Sequence, residues 1–531
     1  MIKQIKAFLA KGFSFWNNGE EPVAMEPTIY SADTHPIRNR QISKNSMTVI
    51  QRLNRAGFNA YLVGGGVRDL LLGLAPKDFD IVTDAHPNEI RKLFRNSRII
   101  GRRFRLVHVL FGREVVEVAT FRSNEVDDRS KHYQTNQEGF VTRDNIYGDI
   151  DEDAMRRDFT INALFYDVRD QTIIDYCGGL ADMKKRQLRL IGNPTERFLE
   201  DPVRILRAIR FEAKLGFQID SALLAPIAEH RQLLENVSPA RMYDEVLKLF
   251  LTGHGEASYG RLMAHQLFEI LFPLTYKALA QQDFPAQHLL RQSLHNSDLR
   301  AKEGLSSSPY FVYGSLLWEP FITRFNTLTA QGVKYRQASE QAIDEVFKIQ
   351  HQITVIPRYV REFIEELWIL QFRLEAKVIH HPEKLMTNPR FKAAYDFLLL
   401  RAEAGESESV IARANYWKGQ FSVYEATLLA DEQQRNREER REVKQALKNV
   451  VNGQDDSTNA NDGSQKKRPS RRRSKKSKTD HHPGENKVNL KPIESKSTTG
   501  NDRAEGEVKK KRKRRPRKRS KSKNNSQESD S

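Results

Sequence analysis

The sequence predicts an α+β protein: a mixed β-sheet with helices near the amino terminus, an all-helical neck and body after it, and a disordered basic tail. Three observations lead to this prediction. Short apolar runs separated by turns alternate with helical patterns early in the chain, whereas apolar residues recur every three or four positions beyond Phe217. From about Asn452 the chain is polar and charged with almost no aromatic residues, a composition that cannot bury enough surface to fold.

The composition limits the class of protein. The chain has 531 residues, and 38% of them are apolar, which is sufficient to form stable hydrophobic cores. The single cysteine, Cys177, excludes an internal disulfide and any zinc site built on several cysteines, so we expect a reducing compartment, the cytoplasm. No stretch reaches the roughly 18 uninterrupted apolar residues of a membrane-spanning helix.

The amino-terminal segment Met1–Trp16 has apolar residues along one helical face, but lysines interrupt it, so it is no secretory signal. We expect a short helix that packs on the rest of the protein. Weak peripheral membrane association through Ile2–Phe13 is the alternative.

A glycine-rich turn follows the first predicted strand of the sheet. Asn59–Val63 is strand-like, Gly64–Gly66 allow tight turning and close backbone approach, and Val67–Leu72 has the pattern of a helix start. Free N–H groups at that start would face phosphate oxygens. The glycines make neither the Gly-x-Gly-x-x-Gly spacing nor a Gly-Lys-Ser/Thr ending, so neither a dinucleotide-binding fold nor a Walker loop is indicated.

Two carboxylates, Asp78 and Asp80, follow the turn on alternate positions of a predicted strand. Residues i and i+2 of a strand project from the same face, so both carboxylates would meet at one point. Magnesium prefers oxygen ligands, and paired metal ions can hold the attacking and leaving oxygens of an in-line displacement. The pattern therefore favours a two-metal Mg²⁺ site that takes a nucleoside triphosphate, although each piece alone would indicate only a turn and an exposed strand end.

The next elements supply a further candidate ligand. We predict a helix over Pro87–Phe94 and strands over Leu106–Phe111 and Val115–Thr120. Glu117 lies between two valines and is predicted as a third metal ligand, with a solvent-facing Glu as the alternative. The segment Ser123–Tyr147 has no periodicity and is predicted as a flexible active-site loop.

Two later stretches combine arginines with carboxylates. Arg157 follows another arginine and precedes Asp158, and an arginine there would contact triphosphate or base. Asp201 precedes a proline at a predicted helix start, with Arg204 and Arg207 near the same face. An aspartate accepts and an arginine donates, which complements the base edge of adenine or cytosine but not of guanine or uracil. Ion pairs and a helix N-cap are the alternatives, and spacing does not choose adenine over cytosine.

These motifs resemble those of the class II nucleotidyltransferases, the family of bacterial poly(A) polymerases and tRNA CCA-adding enzymes. The matching segments are Leu62–Asp69, Asp78–Asp80, Arg156–Asn162 and Glu200–Arg207. The resemblance implies a nucleotidyltransferase head of the polymerase-β type and metal binding by Asp78 and Asp80. It also implies triphosphate or ribose contacts from Gly65 and Arg68, and nucleotide contacts from Arg157, Asp201, Arg204 and Arg207. Asp158 falls on a catalytic-motif position, so either Asp158 or Glu117 would be the third essential carboxylate.

Within the family, Ile99–Leu106 is similar to the segment that marks the poly(A) polymerase branch. The resemblance therefore implies addition of AMP from ATP to the 3′ ends of RNA (mRNA, small and antisense RNAs), which would promote turnover with the RNA-decay machinery as a partner. A CCA-adding enzyme shares the core motifs and is the first alternative. A non-catalytic RNA-binding protein is the second, but it leaves the paired aspartates without a task.

The expected domains are an amino-terminal extension (1–45), a catalytic palm domain (46–175), a helical neck that binds nucleotide and RNA (176–255), a helical body (256–450) and the tail (451–531). Helices are predicted at Ala240–Thr252, Arg358–Lys377 and Arg390–Ala404. Trp368, Phe372 and Trp417 are predicted as core aromatics rather than RNA-stacking groups.

The positive charge is concentrated in the tail. Lys466–Lys478 carries nine Lys/Arg residues and Lys509–Lys523 carries twelve, without acidic residues. Together they exceed the whole net charge of +18, so the remainder of the chain is slightly acidic. Such a tail would bind RNA phosphates without reading sequence, and the binding would weaken with salt. A solubilising tail without a specific partner is the alternative.

Overall fold

The computed structural model describes residues 26–101, 105–123, 133–135, 141–144, 146–281, 285–424 and 426. The predictions for Met1–Trp16 and for the tail over 451–531 lie outside the described residues. Within them a mixed sheet comes first and helices follow, so the predicted α+β class is confirmed.

Strands β1 to β12 are Thr28–Tyr30, Ala60–Val63, Asp80–Thr83, Ser97–Ile100, Leu106–Phe111, Glu114–Thr120, Tyr133–Thr135, Val141–Asp144, Leu164–Asp167, Thr172–Asp175, Gln187–Leu188 and Gln218–Ile219. The main sheet has eight strands in the order β1-β10-β9-β2-β3-β6-β5-β4. Its neighbouring strands are antiparallel except β3 and β6, which run parallel. The sheet is therefore mixed, as predicted, and it includes a strand from before residue 46.

The prediction that Asp78 and Asp80 share one strand is wrong. Strand β3 begins at Asp80, and Asp78 lies in the loop before it. The reason is the register: Val63 is the last residue of β2 and pairs with Asp80, and Gly64 then turns the chain away. No strand continues beside Asp78, so its backbone has no neighbouring strand to pair with.

The predicted structureless loop over Ser123–Tyr147 is partly wrong as well. Strands β7 and β8 form an antiparallel ladder within it, and Arg122 makes a bridge with Tyr147. Strands of three and four residues are too short to produce a recognisable alternation. The rest of the segment lies outside the described residues.

Helices α1 to α19 are Lys44–Arg55, Gly65–Leu71, Pro87–Leu93, Ile150–Met155, Gly179–Lys185, Pro194–Glu200, Val203–Leu215, Ser221–His230, Pro239–Phe250, Gly255–Ala264, Phe268–Leu271, Pro273–Gln281, Pro285–Lys302, Pro309–Leu316, Trp318–Ala330, Tyr335–Ile353, Arg358–Leu374, Pro382–Met386 and Phe391–Glu403. Residues 408–424 are also helical. Helices α9, α17 and α19 confirm the three predicted helices, with ends shifted by a few residues.

Helix α7 has clear start and stop signals. It begins after Pro202, whose fixed backbone suits a helix start, and it ends at Gly216, which has a positive φ of 63°. Nine of its thirteen residues are buried, and seven of these are apolar or small; the other two are Arg204 and Glu212. These charged exceptions on a buried face mark the helix as part of a polar site.

One continuous buried cluster extends from Ile37 in the sheet region to Trp417 in the helical region. Trp368 and Trp417 are fully buried, and each indole N–H donates to a backbone carbonyl, at 3.1 and 2.9 Å. Phe372 packs against this core and contacts Phe325. The prediction of core aromatics is confirmed. No helix in the described part of the chain has the length and apolarity needed to cross a membrane.

Candidate active site

The parallel pairing of β3 and β6 brings two of the predicted metal ligands together. Ile81 pairs with Val118, so Asp80 and Glu117 precede these partners on adjacent strands and project from the same face. Burial, with the charges of Glu117 and Asp78, raises the pKa of Asp80 to about 6, against the opposing charge of Arg157. The three carboxylates therefore form one acidic region.

Glu117 is held from the side by β5. His108 lies opposite it in the antiparallel ladder, with Nε2 3.0 Å from the Glu117 Oε1 atom. Among the described residues, no three His, Cys, Asp or Glu side chains are already arranged around a metal position. Asp80, with its raised pKa, and Glu117 still fit a cation, because a cation would offset the repulsion between the two carboxylates. Metal binding by Asp78, Asp80 and Glu117 stays a prediction.

The glycine turn lies against this acidic region. Gly64 has a positive φ of 72°, a backbone conformation that side chains other than glycine rarely adopt. A Cβ atom at Gly64 would lie 3.6 Å from Arg157 Nη1 and 4.0 Å from Asp80 Oδ2. Helix α2 then begins at Gly65. The turn therefore brings the predicted triphosphate-contacting segment next to the predicted metal ligands.

Arg68 is buried, with 3% of its surface exposed. Its Nε and Nη2 atoms donate to Asp69 Oδ1 at 2.8 and 2.6 Å, and Nη1 donates to Asn162 Oδ1 at 2.7 Å. These bonds join α2 to the segment that follows Asp158. In this structure Arg68 links two motifs, and its predicted contact with triphosphate or ribose stays a prediction.

Asp158 is committed to internal partners. Its Oδ1 atom accepts from the Phe159 N–H at 2.8 Å and from Asn162 at 3.1 Å, and Oδ2 accepts from Arg207 Nε at 2.6 Å. Burial alone would raise the pKa of Asp158, but the charge of Arg207 and these hydrogen bonds hold it well below its usual range. Both carboxylate oxygens of Asp158 already accept hydrogen bonds within the protein, which favours Glu117 over Asp158 as the third metal ligand.

A polar cavity of about 310 Å³ lies where the later motifs meet. Its lining residues are Arg157, Asp158, Asp201, Val203, Arg204, Arg207, Arg241 and Glu245. The structure thus brings all the predicted nucleotide-contacting residues after Gly65 and Arg68 into one cavity. That volume is at the lower end of the range for small-molecule sites.

Asp201 and Arg204, which are predicted to contact the base, are both engaged in ion pairs in this structure. Asp201 forms a two-bond pair with Arg241, at 3.0 and 2.9 Å. Arg204 donates to Glu200 Oε2 and to the Arg197 carbonyl, each at 2.8 Å. Asp201 also accepts from the Val203 N–H at 3.3 Å, but the N-cap residue of α7 is Pro202, so the alternative of Asp201 as the N-cap is wrong.

Arg157 is likewise paired within the site. Its Nε and Nη2 atoms donate to Asp153 Oδ2 at 3.1 and 2.7 Å, and its guanidinium lies 5.3 Å from the ring centroid of Phe165. Asp153 belongs to α4, one turn before Arg157. Arg157 also lines the cavity, and its charge opposes the rise in the pKa of Asp80.

Sequence reasoning missed two residues of the cavity, Arg241 and Glu245 of α9. Glu245 is 5% exposed and lies on the buried face of that helix together with Met242 and Leu249. A carboxylate where the helical period requires an apolar residue is the signal that was available. Glu245 accepts from Arg210 Nε at 3.3 Å and from Lys248 at 2.8 Å.

Three family models match the chain. They are described as the poly A polymerase head domain (residues 60–189), a probable RNA and SrmB-binding site of polymerase A (216–279) and the polymerase A arginine-rich C-terminus (331–478). The acidic region, with Arg157 and Asp158 of the cavity, lies in the first of these ranges, and Arg241 and Glu245 lie in the second.

Among curated proteins, the poly(A) polymerase I of Escherichia coli O157:H7 is 42% identical over 430 residues, 80% of this chain and 92% of the relative. The CCA-adding enzyme of Lactobacillus helveticus is 38% identical over 224 residues, 42% of this chain and 54% of the relative. Among solved structures, the Bacillus stearothermophilus CCA-adding enzyme in complex with CTP is 24% identical, with a TM-score of 0.44 over 71% of this chain and 82% of its own.

Proposed function

This chain belongs to the bacterial poly(A) polymerase I family, and we propose that it is a template-independent polynucleotide adenylyltransferase. It adds AMP from ATP to the 3′ ends of RNA and releases pyrophosphate. The observation that carries the proposal is the similarity to poly(A) polymerase I along nearly the whole length of that relative. The polar cavity beside an acidic region gives the reaction a place in the fold.

The nucleotide would bind in the polar cavity. Arg204 offers donors and Asp201 offers acceptors, which suits the amino group and ring nitrogen of adenine. Both side chains are held in place by Glu200 and Arg241, so the cavity is ordered before a nucleotide arrives. Arg157 lines the cavity and its charge acts on Asp80, so it would contact the triphosphate. Gly65 starts the helix whose first N–H groups would face phosphate oxygens.

Asp78, Asp80 and Glu117 would hold divalent magnesium. Bound there, magnesium would neutralise the triphosphate and favour ionisation of the RNA 3′ hydroxyl. The chain's own contribution is to fix the carboxylates on β3 and β6 and to hold the triphosphate in line with the hydroxyl. Attack of that hydroxyl on the α-phosphorus forms the new phosphodiester bond, and pyrophosphate leaves.

We also propose where RNA and its partners act. The helices within residues 216–279 would contact RNA and the decay machinery, since the family model there is described as a probable RNA and SrmB-binding site. The transcripts would include mRNA and small and antisense RNAs, and the location would be the cytoplasm. The tail would add salt-sensitive contacts to RNA phosphates.

A nucleotide-choice assay tests this function. The purified full-length chain is given an RNA oligonucleotide, magnesium and each nucleoside triphosphate separately, and the products are separated on a gel. Long ladders with ATP alone support poly(A) synthesis. Incorporation of CTP with a stop after a short defined addition would replace the proposal by CCA addition. Absence of any incorporation would leave only RNA binding.

Substitution of the carboxylates tests the assignment of the site. Asp78→Ala and Asp80→Ala with intact folding should each abolish AMP incorporation. Asp84→Asn is a suitable control, because Asp84 follows the same strand but accepts hydrogen bonds from Asn59. If Asp78→Ala kept the activity of the wild type, Asp78 would be removed from the metal site.

A further inference from the structure

The ring of Phe211 has an unusual set of neighbours. Three guanidinium groups lie close to its centroid: Arg210 at 4.6 Å, Arg68 at 5.0 Å and Arg207 at 5.6 Å. The side chain is 4% exposed, so these contacts are largely shielded from water. Three guanidinium groups on one buried ring call for an explanation, because cation–π attraction is stronger where water is excluded.

The three arginines come from two parts of the fold. Arg207, Arg210 and Phe211 belong to α7, whereas Arg68 belongs to α2, the helix that starts at the glycine turn. The ring is therefore a point at which the glycine turn and the wall of the nucleotide cavity are joined. Phe159, which lies next to Asp158, packs edge-on against the same ring at 5.5 Å.

Each guanidinium also has a carboxylate or amide partner near the site. Arg207 pairs with Asp158, Arg210 with Glu245, and Arg68 with Asn162, which in turn donates to Asp158. These bonds and the ring contacts form one network that connects α2, Asp158 and α7. The carboxylates offset much of the repulsion among the three like charges, and the electron-rich ring adds an attraction at the point where the guanidinium groups come together.

We propose that Phe211 is a positioning residue for ATP. Its ring attracts the three arginines to one point. The positions of the glycine turn and of Asp158 relative to the cavity are thereby fixed. This inference rests on the proposed function, because it concerns how that site holds its nucleotide. Phe211 touches no reacting atom, so its loss should weaken nucleotide binding and base choice more than the chemical step.

Fluorinated phenylalanines give the sharpest test. Each added fluorine draws electron density from the ring face while the volume changes little, so cation–π attraction falls stepwise. The full-length protein is prepared with 4-fluoro-, 3,5-difluoro- and 3,4,5-trifluorophenylalanine at position 211. KM for ATP should rise with each fluorine, by roughly three- to tenfold across the series, with a smaller change in kcat.

The same series at Phe397 of α19 is the matched control. Phe397 is fully buried and packs edge-on against Trp318 at 5.4 Å, and no guanidinium lies over its ring among the described residues. Its KM series should be flat. A flat series at position 211, or equal slopes at both positions, would overturn the proposal for Phe211.

Leucine substitutions give a second measurement. Phe211→Leu and Phe397→Leu remove similar rings, but only Phe211→Leu should lower the preference for ATP over CTP and raise KM for ATP. Equal effects of the two would mean that Phe211 is only a core residue. Wild-type protein that adds no AMP would refute the proposed function itself, which keeps that failure distinct from a flat fluorine series.

Discussion

At the scale of single residues, Asp80 shows a conflict between stability and function. Its carboxylate is partly buried beside Glu117 and Asp78, and its pKa is raised to about 6. The ionised form of Asp80 is therefore disfavoured in the folded protein, as expected for a metal ligand in the absence of its cation. A neutral side chain of the same shape should make the metal-free protein more stable and the enzyme inactive.

Asp80→Asn is expected to lower AMP incorporation by at least about 1,000-fold, since metal-assisted charge stabilisation accounts for several kcal/mol of the barrier. In metal-free solution at pH 8 the variant should unfold with a free energy about 1–2 kcal/mol higher than the wild type, a difference that should disappear below about pH 4, where Asp80 is protonated in both states. Urea unfolding at the two pH values measures this. A variant that is less stable at pH 8 would show that Asp80 is satisfied by neighbours rather than poised for a cation.

A second buried carboxyl, Glu319, predicts a pH dependence far from the active site. It is 7% exposed at the start of α15, near Arg401, which is already paired with Glu375 and Glu406. Burial, with the charge of Glu406, raises the pKa of Glu319 to about 7 although Arg401 opposes this. Between the ordinary pKa of about 4.5 and 7 the folded state holds more protons than the unfolded state, so the free energy of unfolding should fall as pH rises through this range.

Glu319→Gln is expected to flatten that dependence and to raise the free energy of unfolding at pH 8 by about 1–3 kcal/mol. Denaturant titrations at pH 5 and pH 8 provide the comparison. Glu340→Gln is the control, because Glu340 is an exposed partner of Arg336 on α16. If Glu319→Gln and Glu340→Gln had the same pH profile, the buried carboxyl would not be the origin of the dependence.

At the scale of elements, the site depends on a close approach between α5 and the turn after Asp158. Gly179 is the first residue of α5, and a Cβ atom there would lie 2.2 Å from the backbone carbonyl oxygen of Thr160. The same contact is reinforced by Thr160, whose hydroxyl donates to Asp182 at 2.6 Å. Because Thr160–Asn162 carries the amide that holds Asp158 and Arg68, the packing of α5 sets the position of the site.

Gly179→Ala is therefore expected to destabilise the protein by more than about 2 kcal/mol, since a backbone atom cannot move away cheaply, and to raise KM for ATP. Thermal unfolding and steady-state kinetics measure the two effects. Gly260→Ala serves as its counterpart: this residue lies inside α10 with open space around the new methyl group, so a gain of about 0.5–1 kcal/mol is expected. Equal stability of the two variants would contradict the close contact.

The elements also show how far sequence reasoning extends. The helices with a clear apolar period, such as α9 and α17, and the strand β5 were predictable because local pattern decides them. The pairing of Asp201 with Arg241 was not, because it joins residues 40 positions apart on different helices. Charge type and spacing identified most of the residues around the cavity. They do not predict which side chain each of these residues pairs with, because tertiary contacts decide the pairing.

At the scale of the whole molecule, charge is divided between two parts of the chain. The compact unit that ends at Ala446 contains the candidate site, and the basic blocks lie after it. The 21 Lys and Arg residues of those blocks exceed the net charge of the whole chain, so salt-sensitive attraction to RNA should come mainly from them. Catalysis and RNA retention should therefore respond differently when the tail is removed.

A chain that ends at residue 450 should bind single-stranded RNA with a much smaller dependence on salt than the full-length chain. Counterion release predicts that log affinity falls with log salt by about 0.7 for each phosphate contact, so the loss of even five contacts lowers the slope by about 3.5. Fluorescence anisotropy between 50 and 300 mM KCl, roughly the range in which such slopes are resolved, measures this. The rate of addition of a single AMP at saturating RNA should stay near that of the full-length chain, because the carboxylates and the cavity lie before residue 246.

A full-length variant with the Lys and Arg residues of 509–523 changed to Gln separates the effect of charge from that of length. The slope of its log affinity against log salt should lie between those of the other two proteins. Equal slopes for all three proteins would place the RNA-binding charge on the folded unit instead of the tail.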